Sequence, residues 1–558
     1  MLNDRTGLEY LAQLMEQRGI RHLVISPGSR NAPIIEAFCR RNAMQCLSIV
    51  DERSAAFFAL GMAQQLRKPV ALACTSGSAP LNYAPAIAEA YYQRIPLLVL
   101  TADRPVEYID QGDGQTIRQS NVFANYIRRS MQLPQTINTR DDLWYANRLV
   151  SEALNECVFP VAGPVHINLP FSEPLYNKQP ADGPPPKDFI IQSLRSVLAE
   201  DGINELSAAW KQHPRKMILA GQMNPDARLQ ELLAALSEDP SVVVLSETTS
   251  NIVHPRFIAC IDRCLSAMPG DHSPFQPDLL ITLGGAVVSK RIKAFLRQAP
   301  VKAHWHVDAS GLNMDTYQHL TKVIPMEASG LFEQLKPHMQ QVPSGYGQHW
   351  SVLSGKAHQA HDAFLAQCPW SDLKIFQTIM EVVPASYDIQ LANSTPVRYS
   401  QLFEPAQANR FDSNRGTSGI DGSISTAAGA CLASGKPTLM ITGDIGFFYD
   451  SNALWNKHLP ANLRIIMINN QGGGIFRFIE GPDQTDFLEE FFEARHQTSA
   501  KHIAMAFNVK YLQADNAAAL KDAMPDFFAP SERPIILEVK SPPEASATIL
   551  RDYFTAMQ

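Results

Sequence analysis

The stretch that decides the fold is PTLMITGDIGFFYD, residues 437–450, in which an apolar run stops at a glycine and an aspartate. Its first six residues are apolar or favour β-structure, which is typical of a buried strand. Asp444 then stands at the carboxyl end of that strand, where ligands gather in open parallel sheets. A carboxylate at such a position needs a partner, and the remaining sequence must supply it.

A second apolar run, LRIIMIN, is followed by Asn470, 26 residues after Asp444. This separation is about that of one strand-helix-strand unit, so we expect both side chains at the ends of adjacent strands. An aspartate oxygen, an amide oxygen and a backbone carbonyl from the glycine-rich turn suit Mg²⁺, whose octahedral shell is usually completed by water and phosphate. The spacing therefore predicts a metal-bound diphosphate. Four glycines would let the backbone approach its phosphates: Gly443, Gly446, Gly472 and Gly473.

Each half of this pattern has a plainer interpretation, since GDIG alone is an ordinary turn and NNQGGG alone an ordinary loop. Their spacing after two apolar strands argues against that. A literal GDG also occurs at residues 112–114. No apolar strand precedes it and no Asn-Asn pair follows one unit later, so we reject it as the metal site.

Similar apolar runs recur along the chain with helical patterns between them, which predicts parallel sheets covered on both faces. The predicted strands are RHLVIS, QCLSIV, PVALACT, PLLVLTA, RKMILAG, SVVVLS, DLLITLG, KAHWHVD, YDIQLAN, PTLMITG, LRIIMIN and PIILEVK. Two segments rich in proline and polar residues, 177–188 and 337–348, predict the connections. The expected fold class is therefore α/β, with three domains of mostly parallel sheet flanked by helices, at residues 1–180, 181–345 and 346–558.

Composition narrows the class of protein. The chain has 558 residues, 45% hydrophobic and 18% charged, as expected of a folded protein with several domains. A net charge of -7 with dispersed basic residues argues against binding to nucleic acid. No apolar run approaches the roughly 18 residues of a membrane helix. The eight cysteines show no recurring pair spacing and the start of the sequence lacks a secretion signal, so we expect a cytoplasmic protein.

The pattern GDx, about 26 residues and NN resembles that of the thiamine diphosphate enzymes, although Ile445 replaces the usual glycine. More specifically, the chain resembles the menaquinone-pathway synthase family in its motifs, which are, in order, SPGSR, DER, TSG, TADRP, IRQ, NSTPVR, SNRGTSGIDG and NNQGGGIF. This resemblance implies thiamine diphosphate with Mg²⁺ or Mn²⁺ as cofactors. It also implies decarboxylation of 2-oxoglutarate and addition of the succinyl carbanion equivalent to isochorismate.

The resemblance further implies roles for individual residues. Asp444, Asn470 and the Gly472 carbonyl would hold the metal, and Glu52 would activate the coenzyme. Other coenzyme contacts would come from Ser394, Ser418, Ile420, Gly443, Ile445, Gly446, Gly473 and Ile475. The substrate side would be lined by Ser29, Arg30, Arg104, Gln115, Lys290, Arg398, Arg415 and Phe476, with Gln115 also catalytic. Family members commonly have Asn-Gln where this chain has Gly114-Gln115, so one substrate or proton-relay contact differs.

Glu52 follows an apolar strand and opens a helix rich in small and aromatic residues. An acid in the first turn of a helix is often only a partner of the helix dipole, and Asp51 competes for the same role. Among apolar residues, however, the protonated form of a carboxyl is favoured, which suits sharing a proton with a pyrimidine nitrogen. Within the resemblance, Glu52 is the better match.

The candidate loops are rich in cations, which favours polyanionic substrates, because arginine binds carboxylates through two parallel hydrogen bonds. The plainer alternative is that each arginine pairs with a neighbouring acid such as Asp103 or Asp421. Two other functions stay open. One is another thiamine diphosphate-dependent 2-oxoacid decarboxylase or an acetohydroxyacid synthase-like carboligase. The other is a non-catalytic nucleotide-binding protein, which would need no Glu52. By resemblance we expect a homodimer or homotetramer with the active site between subunits.

Overall fold

The computed structural model describes residues 5–176, 184–405, 410–478, 481 and 484–558. Within these residues the chain forms three sheets, and all of their strand pairs are parallel. Helices flank each sheet, so the predicted α/β class is confirmed. The predicted boundary at 180 and part of the predicted connection 177–188 lie outside the described residues, and the boundary at 345 stays a prediction.

The first sheet has six strands in the order β2-β1-β3-β4-β6-β5. Its strands are β1 His22–Ile25, β2 Gln45–Ser48, β3 Val70–Cys74, β4 Leu97–Asp103, β5 Arg129–Gln132 and β6 Val165–Pro170. Its helices are α1 Thr6–Gln17, α2 Ala32–Cys39, α3 Glu52–Leu66, α4 Ala79–Gln93 and α5 Arg140–Glu156. Strands β3, β4 and β6 are buried along their whole length, as expected for a sheet covered on both faces.

The second sheet has five strands in the order β11-β10-β9-β7-β8. Its strands are β7 Lys216–Ala220, β8 Val242–Ser246, β9 Leu279–Leu283, β10 Ala303–Val307 and β11 Lys322–Ile324. Its helices are α6 Glu200–Gln212, α7 Ala227–Leu236, α8 Ile261–Ser266, α9 Lys290–Gln298 and α10 Ala328–Leu335. Helix α11, Tyr346–Ala366, leads to the third sheet but buries Tyr346 and Trp350 in the core of the second.

The third sheet repeats the strand order of the first, as β13-β12-β14-β15-β17-β16. Its strands are β12 Asp388–Leu391, β13 Phe411–Ser413, β14 Thr438–Gly443, β15 Leu463–Asn469, β16 Lys510–Ala514 and β17 Ile535–Lys540. Its helices are α12 Asp372–Val382, α13 Thr395–Ser400, α14 Ser423–Ser434, α15 Asp444–Tyr449, α16 Lys501–Ala506, α17 Ala517–Phe528 and α18 Pro543–Ala556.

Short helical turns complete the described chain. The 3-10 turns are Val106–Tyr108, Ala124–Tyr126, Thr248–Ser250, Ser273–Phe275, Lys336–His338, Ser451–Leu454 and Gly474–Arg477, and a π-helical turn spans Leu488–Phe492. No helix in the described part of the chain combines the length and the apolar character that crossing a membrane requires.

All twelve predicted strands are present, and the structure adds β5, β6, β11, β13 and β16. Four of the five additions, β5, β11, β13 and β16, are edge strands, and each contains polar residues, so they lack a continuous apolar run. Strand β6, with the sequence VHINLP, is buried throughout, and its His and Asn side chains interrupted the pattern. There, Asn168 and His166 both lie within hydrogen-bond distance of the Thr101 hydroxyl.

The first and third sheets share one hydrophobic core, which runs from α3 into α14. The two helices cross at a pair of glycines. A Cβ on Gly61 would lie 2.0 Å from the carbonyl oxygen of Thr426, and a Cβ on Gly429 would lie 2.0 Å from that of Phe58. Only glycine permits backbones to approach this closely, so the crossing fixes the two sheets relative to each other.

Candidate active site

The predicted metal ligands lie at the ends of two neighbouring strands. Strand β14 pairs with β15 in parallel register, with Gly443 opposite Ile468. Asp444 begins α15 directly after β14, and Asn470 follows the last residue of β15. Both side chains are buried. The sequence-based expectation of adjacent strands is therefore confirmed.

The Asp444 carboxylate ties the two strand ends together. Its Oδ1 accepts a hydrogen bond from the backbone N–H of Ile445 at 2.7 Å, and its Oδ2 accepts one from the N–H of Gly472 at 3.0 Å. The Nε2 atom of His496 lies 3.3 Å from the same Oδ2. The glycine-rich turn after β15 is thus held against the aspartate rather than left free.

The amide of Asn470 is oriented by a buried acid. Its Nδ2 donates to Oδ2 of Asp372 at 3.2 Å, and the Ser541 hydroxyl donates to the other oxygen of Asp372. Burial raises the pKa of Asp372, and the nearby charge of Asp444 adds to that shift. Because the amide nitrogen is engaged with the carboxylate, the amide oxygen of Asn470 is the atom left for another partner.

The turn after Asn470 is packed against a later segment of the chain. Gly472 has a φ of +154°, and a Cβ there would lie 2.8 Å from the carbonyl oxygen of Glu493. The same carbonyl accepts the N–H of Gly473 at 2.7 Å. Glu493 is buried and ion-paired with Arg477. Gly472 is therefore required by this backbone contact, whatever it also allows toward a phosphate.

Within the described residues, no group of three or more His, Cys, Asp or Glu side chains is placed to hold a metal ion. The predicted set is of a different kind, because it consists of one carboxylate, one amide and one backbone carbonyl. Such hard oxygen donors fit Mg²⁺ or Mn²⁺.

Glu52 and Asp51 take different places at the start of α3. Asp51 caps the helix by accepting the N–H of Ser54 at 3.0 Å, and its other oxygen accepts from Asn452 at 2.7 Å. Glu52 is half-buried, and within the described chain its carboxylate receives a hydrogen bond only from its own backbone. Burial raises the pKa of Glu52, and the charge of Asp51 adds to this. The acid free to bind another group is Glu52.

The residue that follows Glu52 contacts the third-sheet region. The guanidinium of Arg53 donates to the carbonyl of Tyr449 at 2.6 Å and lies 4.6 Å from the centre of its ring. Tyr449 ends α15, the helix that Asp444 begins.

Two of the predicted cations meet at the carboxyl ends of the first sheet. Arg30 is buried and donates to the carbonyl of Phe171 at 3.2 Å, with Glu173 3.1 Å away. Burial lowers the pKa of Arg30, and the charge of Arg104 lowers it further. Arg104 donates through its guanidinium to the carbonyl of Gly114 at 3.2 Å, and its Nε is buried without a partner among the described residues.

Gln115 and Ser29 are exposed in the same region. Gln115 has a φ of +54°, and its carbonyl accepts from the Ser76 hydroxyl at 2.8 Å. Arg104 does bond to Asp103, as the plainer alternative requires, but through its backbone N–H and not through its guanidinium.

A second pair of cations lies beside the third sheet. Arg398 donates to the carbonyl of Ser394 at 2.6 Å, and Arg415 donates to Oδ1 of Asn393 at 2.8 Å. Burial lowers the pKa of Arg398, and the charge of Arg415 adds to this effect. Ser394 itself has a φ of +73° at the start of α13. Two guanidinium groups in mutual repulsion at one place are suited to an anion.

Lys290 is placed differently from this pair. It is the exposed first residue of α9, and no hydrogen bond or ion pair of its side chain is found in the described part of the chain. Lys293, one turn later, is half-buried. Burial lowers the pKa of Lys293, the charge of Glu247 opposes this shift, and the charges of Arg415 and Arg398 add to it. The role predicted for Lys290 therefore stays a prediction, and Lys293 is the lysine that lies closer to the arginine pair.

The apolar residues predicted to contact the coenzyme lie near the Asp444 strand end. A Cβ on Gly446 would lie 3.9 Å from the Cβ of Ile420. Ile475 is buried, and the ring of Phe476 packs on Phe492 at 5.8 Å between centroids. Ser418, two residues before Ile420, has a φ of +64°.

Comparison with known proteins identifies the family of the chain. Family models match three consecutive parts of the chain: the N-terminal TPP binding domain of thiamine pyrophosphate enzymes at residues 5–122, their middle domain at 192–390 and their C-terminal TPP binding domain at 394–539. The chain is 42% identical to the 2-succinyl-5-enolpyruvyl-6-hydroxy-3-cyclohexene-1-carboxylate synthase of Flavobacterium johnsoniae, covering 98% of this chain and 97% of that protein.

The synthase of the same name from Porphyromonas gingivalis is also 42% identical, over 99% of this chain and 97% of its own. That from Bacteroides thetaiotaomicron is 39% identical, over 99% of both. The chain belongs to the 2-succinyl-5-enolpyruvyl-6-hydroxy-3-cyclohexene-1-carboxylate synthase family. It is thus a thiamine diphosphate-dependent enzyme, and the family resemblance found in the sequence is confirmed.

Three residues of this synthase-family site escaped the sequence analysis: Asp372, Glu493 and His496. Asp372 contacts Asn470, Glu493 contacts the turn at Gly473, and His496 lies 3.3 Å from Asp444. Ser371-Asp372 resembles an ordinary helix start, and no spacing relates Glu493 or His496 to the GDIG and NNQGG motifs. Their roles follow from packing alone, so no sequence signal could have found them.

Proposed function

We propose that this enzyme decarboxylates 2-oxoglutarate and adds the resulting succinyl carbanion equivalent to isochorismate, giving 2-succinyl-5-enolpyruvyl-6-hydroxy-3-cyclohexene-1-carboxylate and CO₂ in menaquinone biosynthesis. The observation that carries the proposal is the near full-length similarity to synthases of that name. The buried Asp444 and Asn470 at adjacent strand ends, the Arg398 and Arg415 pair beside the same sheet and the Arg30 and Arg104 pair at the first sheet support it independently of the name.

In this proposal the metal, Mg²⁺ or Mn²⁺, is held by Asp444, the amide oxygen of Asn470 and the Gly472 carbonyl. Asp372 binds the amide nitrogen of Asn470 and so leaves its amide oxygen for the metal. The N–H of Gly472 holds the carboxylate of Asp444 in place. The backbone of four residues lies beside the diphosphate: Gly443, Ile445, Gly446 and Gly473. Ser394, Ser418, Ile420 and Ile475 contact the rest of the coenzyme. Thiamine diphosphate, when bound, supplies the electron sink for the carbanion that loss of CO₂ leaves.

Glu52 holds a proton at its carboxyl and shares it with the pyrimidine nitrogen of the coenzyme. Its raised pKa supports this role, because a carboxyl disfavoured as an anion binds its proton at higher pH. Asp51, already engaged as a helix cap, is not available for that purpose.

The cations bind the carboxylates of the two substrates, each of which carries two. Ser29, Arg30, Arg104, Gln115, Lys290, Arg398, Arg415 and Phe476 line the substrate side. Buried guanidinium groups position and stabilise anions better than exposed ones, because the local dielectric is low. Gln115 acts as a polar catalytic group there. Gly114 offers Arg104 a backbone carbonyl at the position where an asparagine is usual.

We further propose a homodimer or homotetramer in which a second copy completes the site. The turn Leu488–Phe492 and its preceding residue expose three phenylalanines, Phe487 at 62%, Phe491 at 70% and Phe492 at 37%, next to the segment that contacts Gly473. Exposed aromatic residues of this kind are typical of surfaces that another chain covers. All eight cysteines are free thiols, which favours the cytoplasm.

The test is an assay of the purified protein with thiamine diphosphate, Mg²⁺ and 2-oxoglutarate. CO₂ release and product mass are recorded with and without isochorismate, and the mass of the assembly is measured by light scattering. We expect product only when all components are present. Consumption of pyruvate with no use of isochorismate would instead identify an acetohydroxyacid synthase-like carboligase.

A further inference from the structure

One segment lies where all three sheets meet: residues 414–422, which link β13 to α14. The Ser413 carbonyl, directly before it, accepts from Gln222 of the second-sheet region at 2.9 Å and from Gln93 of α4 at 3.3 Å. Asn393, after β12, donates to a carbonyl within the segment at 2.6 Å. The conformation of the segment therefore depends on groups from three separate parts of the chain.

Glu89, on α4 of the first-sheet region, accepts three hydrogen bonds from two successive residues of this segment. Its side chain is buried, with 1% of the residue exposed. Oε1 accepts the N–H of Gly416 at 2.7 Å, while Oε2 accepts the N–H of Thr417 at 2.7 Å and the Thr417 hydroxyl at 2.6 Å. Hydrogen bonds to an ionised acceptor are about twice as strong as neutral ones, and two successive N–H groups form a natural seat for a carboxylate.

The packing around these bonds is tight. A Cβ on Gly416 would lie 2.7 Å from the backbone oxygen of Glu89 and 3.0 Å from the Cβ of Tyr92. The segment and α4 therefore touch at backbone distance. Burial lowers the pKa of Arg415, and the charges of Glu247 and Glu89 oppose that shift. Glu89 thus faces the segment both through its hydrogen bonds and through its charge.

We propose that Glu89 is a positioning residue, which fixes the segment that carries Arg415, Ser418 and Ile420. This inference rests on the proposed function, in which Arg415 binds a substrate carboxylate and the other two contact the coenzyme. Glu89 touches neither substrate nor coenzyme in that scheme. It acts by holding two backbone N–H groups, so that the placement of α4 sets the placement of the site.

The decisive variant is Glu89→Gln, which keeps the shape of the side chain. A carboxamide has one acceptor oxygen, so its NH₂ group must face one of the N–H donors and that bond is lost. In the protein without coenzyme, we expect amide exchange in peptides covering 414–422 to quicken about tenfold or more, because local opening becomes easier. In the complete assay, KM for the substrate bound by Arg415 should rise about tenfold, with a smaller change in kcat.

Glu16→Gln is the matched control. Glu16 lies on α1 in the same part of the chain, where it pairs with Arg41 at 3.0 Å, and we expect its exchange pattern and kinetics to match the unmodified protein. Thr417→Val is the second variant, because it removes only the hydroxyl bond to Glu89. It should quicken exchange in 414–422 by a smaller factor, and its effect should be non-additive with that of Glu89→Gln.

The inference is overturned if 414–422 exchanges in Glu89→Gln as it does in Glu16→Gln, or if KM is unchanged. Should Glu89→Gln fail to fold, normal exchange in Thr417→Val would overturn it in the same way. Failure of the proposed function is distinguishable, because the unmodified protein would then not turn over the two acids. The exchange measurement would still report whether Glu89 holds the segment.

Discussion

The first and third sheets have the same strand order but present different chemistry at their carboxyl ends. In each, the first strand lies between the second and third, and the fourth is followed in space by the sixth and fifth. Arg104 and Asn470 therefore occupy equivalent places, each after the fourth strand. Asp444 follows the third strand of its sheet, whereas Glu52 follows the second strand of the other. One scaffold thus supplies equivalent positions, and the residues at them decide which ligand each edge can bind.

The helices α3 and α14, each of which follows the second strand of its sheet, are alike where they cross but differ in how they are capped. They cross through reciprocal glycines, so each contributes a gap for the backbone of the other. Their caps differ. Asp51 caps α3 from its own N-terminus, whereas Asp450, after α15, accepts the N–H of Ser425 in the first turn of α14 at 2.8 Å. The shape of the scaffold is repeated, while the groups that complete it are not.

The largest expected effect is at the third-sheet edge. Asp444→Ala removes a proposed metal ligand and the acceptor of the Gly472 N–H, so we expect turnover to fall roughly a thousandfold and coenzyme affinity to fall with it. Calorimetric titration with thiamine diphosphate and Mg²⁺ measures the affinity. Asp515→Ala, at an exposed position before α17, is the control and should leave both unchanged. Equal coenzyme affinity in the two variants would contradict the metal assignment.

The first-sheet edge should respond differently. Glu52→Gln is expected to lower turnover by about a hundredfold or more while coenzyme affinity changes by less than about threefold, because only the proton-sharing group is lost. Asp51→Asn keeps an effective helix cap and should retain most activity. The same titration and assay apply. If Asp51→Asn were the inactive variant and Glu52→Gln the active one, the two assignments would have to be exchanged.

The reciprocal glycines give the next effect. Gly61→Ala and Gly429→Ala each place a methyl group against a backbone carbonyl, so each should lower the free energy of unfolding by at least about 1–3 kcal/mol. Gly355→Ala in α11 meets no atom within 4 Å and should instead be neutral or stabilising by up to about 1 kcal/mol. Denaturant unfolding measures all three. A clear difference between the first two variants would show that the crossing is not equivalent from its two sides.

The smallest expected effect is the pH dependence of stability that comes from Asp450, which caps α14. Burial raises the pKa of Asp450 from 3.8 to about 7. The folded protein therefore binds this proton more tightly than the unfolded chain, and the carboxyl contributes stability below pH 4 that is lost as pH rises toward 7. The variant Asp450→Asn cannot ionise at this position, so it does not lose this stability as pH rises. The free energy of unfolding of the variant minus that of the unmodified protein should therefore increase by at least about 1 kcal/mol between pH 4 and pH 8. Denaturant titrations at several pH values measure the difference, and a constant difference would refute the shift.

The sequence was sufficient for the parts of the fold that depend on local pattern. Runs such as PTLMITG and LRIIMIN are apolar on both faces, so they identify buried parallel strands without any knowledge of their neighbours. Edge strands such as β13 and β16 were missed, because a strand with one free edge needs no such run. The Asp444 to Asn470 spacing predicted that the two residues lie at the ends of adjacent strands, since chain length limits where the next parallel strand can lie.

What the sequence by itself determined is the fold class, the family and the identity of the residues after each strand, because strand patterns and motif spacings are local properties. Only the tertiary structure decided which residues hold those groups in place. Asp372 turns Asn470, His496 lies on Asp444, and Glu89 binds the segment that carries Arg415. These contacts join positions far apart in the chain, and their physical basis is the need of buried polar atoms for partners, which no linear spacing records.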